Sequence, residues 1–136
     1  MNRRTLLKLG ALLSGSQLRV AFAAPARSST HAIVLYCDLA VDPAREQEML
    51  DAFHRYFKPA AEKFDGFIDL KMLKLRQVVQ GGPSPKGGIN YRFQLTYENE
   101  EKRQLWIKSA VHQKVWPLIE NTVTDKGYLV LLTDSR

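Results

Sequence analysis

Cysteine is almost absent from this chain of 136 residues, and Cys37 is the only example. A single thiol cannot form an intramolecular disulfide, and it excludes metal clusters that several thiolates hold together. Because Cys37 lies within a run of strand-forming residues, we interpret it as a small buried hydrophobic side chain rather than a reactive thiol.

The motifs of several common enzyme classes are also missing. The chain has no His-Glu-x-x-His zinc motif, no Gly-x-Ser-x-Gly nucleophile elbow, and no flavin or nicotinamide fingerprint. The glycine pairs at 81–82 and 87–88 flank prolines in a loop and do not lead from a strand into a helix, so they do not form a phosphate-binding loop. We therefore predict no metal site and no bound cofactor.

Residues 24–136 have no large excess of positive charge. The formal net charge of the whole chain is +6, but four basic and no acidic residues precede residue 24. Residues 24–136 carry 16 basic and 14 acidic side chains, a net charge of about +2. No cluster of Lys and Arg with interleaved aromatic residues remains, so we predict no nucleic-acid partner.

Residues 1–23 have the layout of an export signal, with paired arginines at 3 and 4, a short apolar segment, and Ala-Phe-Ala at 21–23. The paired arginines and the many Gly and Ser residues in the apolar segment favour a twin-arginine signal, and a general export signal is the alternative. Gln17 and Arg19 interrupt the apolar run, so we predict no stable membrane anchor. We expect cleavage after Ala23 and a periplasmic or secreted protein.

The rest of the chain is predicted to form a flexible leader, 24–31, and one domain, 32–136. Its strand patterns cover residues 31–39, 67–75, 91–97 and 128–133. A change of apolar phase after Met72 predicts a bulge in the second strand. The segment 77–90 is a loop by composition and could serve as a lid or as an exchanged arm.

Two amphipathic helices are predicted between these strands. Asp42 can cap the first, with Pro43 in its first turn, and Asp65 and Gly66 end it. Apolar residues recur at spacings of three and four and form one face of this helix: Met49, Leu50, Phe53, Phe57, Ala60, Ala61 and Phe64. Asn99 can cap the second helix, which is predicted to run to about Trp116, where Pro117 ends or bends it.

The element order β-α-β-β-α-β predicts a ferredoxin-like α+β protomer, in which two helices cover one face of a four-stranded antiparallel sheet. The first and last strands show no polar alternation at 33–36 and 129–132. The uncovered face therefore needs a partner, and a second copy of the chain is the simplest one. We predict a homodimer that packs through its sheet faces.

The second helix carries a family resemblance. The segment 97–102, followed by Trp106, Ser109 and His112, resembles the antibiotic biosynthesis monooxygenase family of dimeric α/β barrels. That resemblance implies a cavity between sheet and helices, in which some members oxidise quinols or phenols with O₂ and without metal or flavin. Other members degrade haem. The haem-specific histidine and first-strand asparagine of those members are replaced here by Trp116 and by Tyr36 or Cys37, so the resemblance favours a small aromatic substrate.

The resemblance implies roles for particular side chains. Trp106 would stack on a flat phenolic substrate, and His112 would act as the base that deprotonates it. Trp116 shares a helix face with His112, and either packing or substrate binding would fit. Tyr36, Tyr91 and His54 are further candidates for substrate binding.

Two other functions remain open from the sequence. One is a periplasmic module that binds or senses a small apolar ligand without turnover. The other is a structural dimer whose interior is filled by Trp106, Trp116 and Phe64. An open cavity that contains His112 would favour the enzyme over both.

Overall fold

The computed structural model of the protein describes residues 31–136. The predicted export signal, its cleavage site and most of the predicted leader lie outside the described residues. Within residues 31–136, no helix is both long enough and apolar enough to cross a membrane.

Four strands form one antiparallel sheet, which confirms the predicted ferredoxin-like protomer. They are β1 (Ile33–Leu39), β2 (Phe67–Lys74), β3 (Tyr91–Tyr97) and β4 (Leu129–Asp134). The spatial order is β2-β3-β1-β4, so β1 and β3 are central and β4 is an edge strand. Each neighbouring pair runs antiparallel.

The first helical segment begins where the sequence predicts. The Asp42 carboxylate accepts a hydrogen bond from the Ala44 N–H and caps a 3₁₀ turn. The segment then comprises α1 (Glu46–Ala52), a π-helical turn (Phe53–Phe57) and α2 (Lys58–Glu62).

The π-helical turn was not predicted. It ends at Lys58, whose N–H donates to the Phe53 carbonyl, five residues back. The next residue, Pro59, has no N–H to continue an α-helical ladder, and its ring would clash with the carbonyl four residues earlier. A widened turn before the proline accommodates both constraints. It leaves Phe57 fully buried under the sheet.

The second helical segment differs from the prediction. It consists of α3 (Glu100–Lys108) and α4 (Ala110–Glu120), and the break lies at Ser109 rather than at Pro117, which sits inside α4. The Ser109 backbone is extended, and its hydroxyl donates to the Trp106 carbonyl and accepts from the His112 N–H. This one hydroxyl ends α3 and caps α4, so it fixes Trp106 and His112 on either side of the break.

The predicted bulge is also misplaced. The irregularity in β2 falls between Phe67 and Asp69. Met72 pairs regularly with Phe93 and Leu73 with Arg92, so the apolar Leu73 simply points to the face that the helices leave open.

The helix-facing side of the sheet forms the core. Along β1 the buried residues alternate with partly exposed ones, and the same pattern recurs in β3. The open face is less uniformly apolar than predicted, because the central and edge strands place charged and polar residues there. It carries Val34, Tyr36 and Asp38 from β1, Asp69, Lys71 and Leu73 from β2, Arg92, Gln94 and Thr96 from β3, and Leu129, Leu131 and Thr133 from β4.

Gly66 is required at the turn that follows α2. Its φ is +93°, and a Cβ there would lie 2.6 Å from Lys102 Cδ and 2.7 Å from Lys102 Cβ. We expect Gly66→Ala to lower the free energy of unfolding by about 2 kcal/mol. Gly81 is the matched control, since its φ of +103° is similar but nothing lies within 4 Å of an added Cβ. Equal losses for the two variants in urea unfolding would show that the contact with Lys102 is unimportant.

Candidate functional site

A cavity of about 160 Å³ lies between the helix-facing side of the sheet and the helical layer. Its walls are almost entirely hydrophobic and aromatic. Twelve residues line it: Leu35, Cys37, Phe57, Phe93, Leu95, Arg103, Trp106, Ile107, His112, Trp116, Tyr128 and Val130.

The fold explains why a cavity remains here. β1 and β3 supply its floor, and the π-helical turn supplies Phe57. The break at Ser109 changes the chain direction between α3 and α4, which leaves Trp106 and His112 facing the same space from two helices. The third predicted alternative, an interior filled by aromatic side chains, does not describe this arrangement.

Trp106 is almost completely buried in the site, with 1% of its surface exposed. Its ring centroid lies 5.6 Å from that of Phe57, 5.3 Å from that of Phe64 and 5.1 Å from that of His112. The indole N–H is buried and has no hydrogen-bond partner within residues 31–136. A buried N–H without a partner is costly, so it is suited to a ligand oxygen.

His112 is half-buried and contacts aromatic rings on several sides. Its ring is nearly parallel to that of Trp116, at a centroid distance of 6.3 Å and an interplanar angle of 11°. This confirms that the two residues share a helix face. Nδ1 is buried and makes no hydrogen bond to any described residue. Burial, and to a lesser extent the positive charge of Arg103, lowers the pKa of His112 below its usual value, so the imidazole is neutral at pH 7.

Arg103 is a site residue that the sequence analysis missed. It lies in α3 one turn before Trp106 and lines the cavity, with 11% of its side chain exposed. Glu100 holds it through two hydrogen bonds, from Nε (2.7 Å) and Nη2 (2.8 Å). The i, i+3 spacing from Trp106 was the available signal, because residues three apart share a helix face.

Tyr128 was missed as well. Its hydroxyl accepts from Trp116 Nε1 (3.2 Å) and donates to Glu120 Oε2 (2.7 Å). Burial is the main cause that raises the pKa of this phenol, so it stays protonated. The bond to Tyr128 fixes the plane of Trp116, which forms one wall of the cavity.

Cys37 lies on the cavity floor, but its thiol is unreactive. Its side chain is 4% exposed, and burial raises the pKa of the thiol to about 12. At pH 7 almost no thiolate is present, so nucleophilic chemistry at this sulfur is suppressed. Within residues 31–136, no three His, Cys, Asp or Glu side chains are grouped to hold a metal ion.

Three predicted substrate-binding residues do not reach this cavity. Tyr36 lies on the open face of the sheet, with the Arg92 guanidinium 4.8 Å from its ring centroid. The Tyr91 hydroxyl donates to Glu46 at 2.5 Å, away from the cavity lining. His54 is exposed on the π-helical turn. Any binding role of these three side chains is separate from the cavity.

Arg92 lies on the open sheet face, where it pairs with Asp38 of β1. There it forms a two-point ion pair with Asp38 of the same chain, from Nε (2.7 Å) and Nη2 (3.0 Å). The pair holds the Arg92 guanidinium in place within the protomer.

Comparison with known proteins supports the fold. No protein-family model matches the sequence, and no curated protein matches it. Among solved structures, a candidate antibiotic biosynthesis monooxygenase from Caulobacter crescentus CB15 is 11% identical, with a TM-score of 0.63 over 79% of this chain and 92% of that one. A dimeric ferredoxin-like protein of unknown function from Jannaschia sp. CCS1 is 13% identical, with a TM-score of 0.60 over 77% of this chain and 98% of that one.

The same fold also carries different chemistry. The hydroxynitrile lyase from Passiflora edulis is 9% identical to this chain, with a TM-score of 0.62 over 79% of this chain and 95% of the lyase. Likeness at such low identity shows a shared fold, and the function has to be argued from the site itself. Residues 31–136 thus have the ferredoxin-like fold that these three proteins share.

Proposed function

We propose that this protein is a small monooxygenase-like enzyme that oxidises a single-ring phenol or quinol with O₂ in the cavity between sheet and helices. One observation carries the proposal: the imidazole of His112, whose pKa is lowered by burial, lines a mostly hydrophobic and aromatic cavity of about 160 Å³. Such a group can take a proton from a bound phenol at neutral pH.

The size of the cavity supports a one-ring substrate. An apolar cavity of about 150 Å³ engineered into another protein stays dry and binds benzene. A cavity of about 160 Å³ matches one substituted ring and is too small for haem or a fused polycyclic phenol. Trp106 and Trp116 provide flat aromatic walls for such a ring.

The reaction can balance without a bound redox cofactor. Proton transfer to His112 leaves the electron pair on the substrate oxygen, and the resulting phenolate is a better electron donor to O₂ than the phenol. A hydroquinone and one O₂ would give a hydroxyquinone and one water. The substrate supplies all four electrons that reduce O₂, one oxygen atom enters the ring, and the other leaves in water.

Oxygen uptake with substrates of graded size tests this proposal. We expect uptake with 1,4-hydroquinone and its methyl derivatives, and none above background with an anthrahydroquinone, because three fused rings exceed the cavity. Binding of the one-ring compounds without oxygen uptake would instead support the non-catalytic binding module. Uptake that is independent of ring size would contradict the assignment of the cavity as the active site.

The same proposal includes export. The layout of residues 1–23 supports transport out of the cytoplasm, followed by cleavage after Ala23. Fractionation of cells, with mass spectrometry of the exported chain, tests both points. A chain that remains intact in the cytoplasm would contradict them.

We further propose that two copies associate through the open sheet face. Leu129 and Leu131 are 54% and 40% exposed on this face of β4, where a partner sheet would cover them. The dimeric neighbour from Jannaschia sp. CCS1 is consistent with this arrangement.

Two neighbouring leucines of β4 provide a matched test of this interface. We expect Leu131→Lys to convert the dimer into a monomer in sedimentation velocity, because Leu131 lies on the open face. Leu132→Lys should leave the dimer intact, since Leu132 has similar exposure (48%) but points to the opposite side of the same strand. A wild-type chain that sediments as a monomer at micromolar concentration would rule the dimer out.

A further inference from the structure

Among the described residues that line the cavity, Arg103 is the one permanently charged side chain. The rest of the lining is apolar or aromatic, apart from the neutral His112, the thiol of Cys37 and the hydroxyl of Tyr128. The Arg103 side chain is 11% exposed, so it has lost much of its contact with water, although none of its nitrogens is among the fully buried atoms without a partner. Such a group is expected to have partners that compensate for the lost hydration.

Its hydrogen bonds compensate for part of the guanidinium only. Nε and Nη2 donate to the two oxygens of Glu100, whereas Nη1 makes no hydrogen bond to any residue in the range 31–136. Glu100 is 42% exposed and also accepts from Gln104, so its negative charge is shared among Arg103, that amide and water. The carboxylate therefore orients Arg103, and Nη1, which is not fully buried, can donate to water or to a ligand.

The positive charge of Arg103 affects the pKa values of two other residues that line the cavity. It contributes to the lowered pKa of His112, and it opposes the effect of burial on the pKa of Cys37. An anion in an apolar cavity without a nearby cation would cost several kcal/mol. The cavity thus holds a proton acceptor and a cation, which together suit a ligand that becomes an anion.

We propose that Arg103 is the anion-binding residue of the cavity and that the ligand is held there as a phenolate. This proposal rests on the proposed function and names the state in which the substrate reacts. The phenol O–H bond breaks, its proton joins an imidazole nitrogen of His112, and the electron pair stays on the phenolic oxygen. An N–H of Arg103 then donates a hydrogen bond to that oxygen.

A coloured phenol tests the proposal directly. 4-Nitrophenol absorbs at different wavelengths in its neutral and ionised forms, so the ratio of bound phenolate to bound phenol can be measured at pH 6 with saturating protein. We expect this ratio to fall about tenfold or more in Arg103→Gln. Arg45→Gln is the matched control, because Arg45 forms a similar two-point pair with Glu48 outside the cavity lining. It should leave the ratio unchanged.

A second variant separates loss of the cation from loss of the ion pair. Glu100→Gln breaks the pair but keeps Arg103, so we expect the phenolate ratio to stay the same or rise. A fall as large as that in Arg103→Gln would show that the pair acts only through local structure, and would overturn the proposal. Arg103→Lys keeps a charge without the planar fork and should give an intermediate ratio.

A neutral probe distinguishes failure of this proposal from failure of the proposed function. 4-Nitroanisole cannot ionise, and we expect it to bind wild type and Arg103→Gln with equal affinity. Equal binding of this probe together with equal phenolate ratios would overturn the role of Arg103 and leave ring binding intact. No saturable binding of either probe to wild type would overturn both proposals together.

Discussion

We expect His112→Ala to lower the rate of oxygen uptake with a one-ring hydroquinone by about 100-fold or more, since a positioned general base contributes roughly 10²- to 10⁴-fold. The imidazole is the neutral proton acceptor that lines the cavity, and nothing else there can replace it. The thiol of Cys37 and the phenol of Tyr128 are both held protonated by burial. The guanidinium of Arg103 accepts no proton.

His54 supplies the matched control for this variant. It is exposed on the π-helical turn and does not line the cavity, so His54→Ala should retain the wild-type rate. Equal rates for wild type and His112→Ala would remove His112 from the mechanism. Circular dichroism should show that both variants keep their secondary structure.

The same imidazole predicts the direction of the pH dependence. Because the pKa of His112 is lowered from its usual value near 6.5, the base form persists below that pH. We therefore expect the acid limb of kcat/KM to have its midpoint below pH 6.5, where half of the imidazole becomes protonated. A midpoint above pH 7 would show that another group, or a His112 of raised pKa, controls the rate.

The second large effect is expected on stability. Trp106→Ala should lower the free energy of unfolding by about 3–5 kcal/mol, the range typical of a buried Trp replaced by Ala. The indole is 1% exposed and packs against Phe57, Phe64 and His112, so its removal leaves a void that joins the existing cavity. Urea unfolding at one fixed protein concentration measures the loss, since a dimer would make stability depend on concentration.

Two further variants test whether the loss of stability in Trp106→Ala comes from the buried indole. Leu105 is the preceding residue of α3 and is 62% exposed, so Leu105→Ala should change the free energy of unfolding by no more than about 0.5 kcal/mol. Trp106→Phe keeps an aromatic ring but loses the indole N–H, which has no partner among residues 31–136. We expect it to be much less destabilising than Trp106→Ala and to raise KM, if the N–H binds a substrate oxygen. A similar loss of stability for Leu105→Ala and Trp106→Ala would contradict the packing described here.

The caps and faces of the helices follow from short-range physics, and they could be predicted. Asp42 and Asn99 cap their helices because a short polar side chain satisfies an N–H two or three residues ahead. The apolar spacing of three and four likewise placed Met49, Phe53 and Phe57 in the core. Such signals involve neighbours in sequence, so no knowledge of the tertiary structure is needed to interpret them.

Two residues, Ser109 and Pro117, could each have ended the helix, and the sequence alone did not decide between them. Pro117 is the stronger helix breaker by intrinsic preference, yet α4 continues through it to Glu120. Ser109 breaks the helix because its hydroxyl satisfies backbone groups on both sides of the break. That choice decides where Trp106 and His112 meet.

The sequence by itself determined the order of the elements, the alternation along β3 and the placement of Trp106 and His112 in one helical region. It did not determine which strand face the helices cover, because a period of two defines two faces and labels neither. Only the tertiary structure placed Tyr36 on the open face and Tyr91 beside Glu46, and only it brought Arg103 and Tyr128 to the cavity with His112. A cavity is the space that several packed elements fail to fill, so no single segment of sequence encodes it.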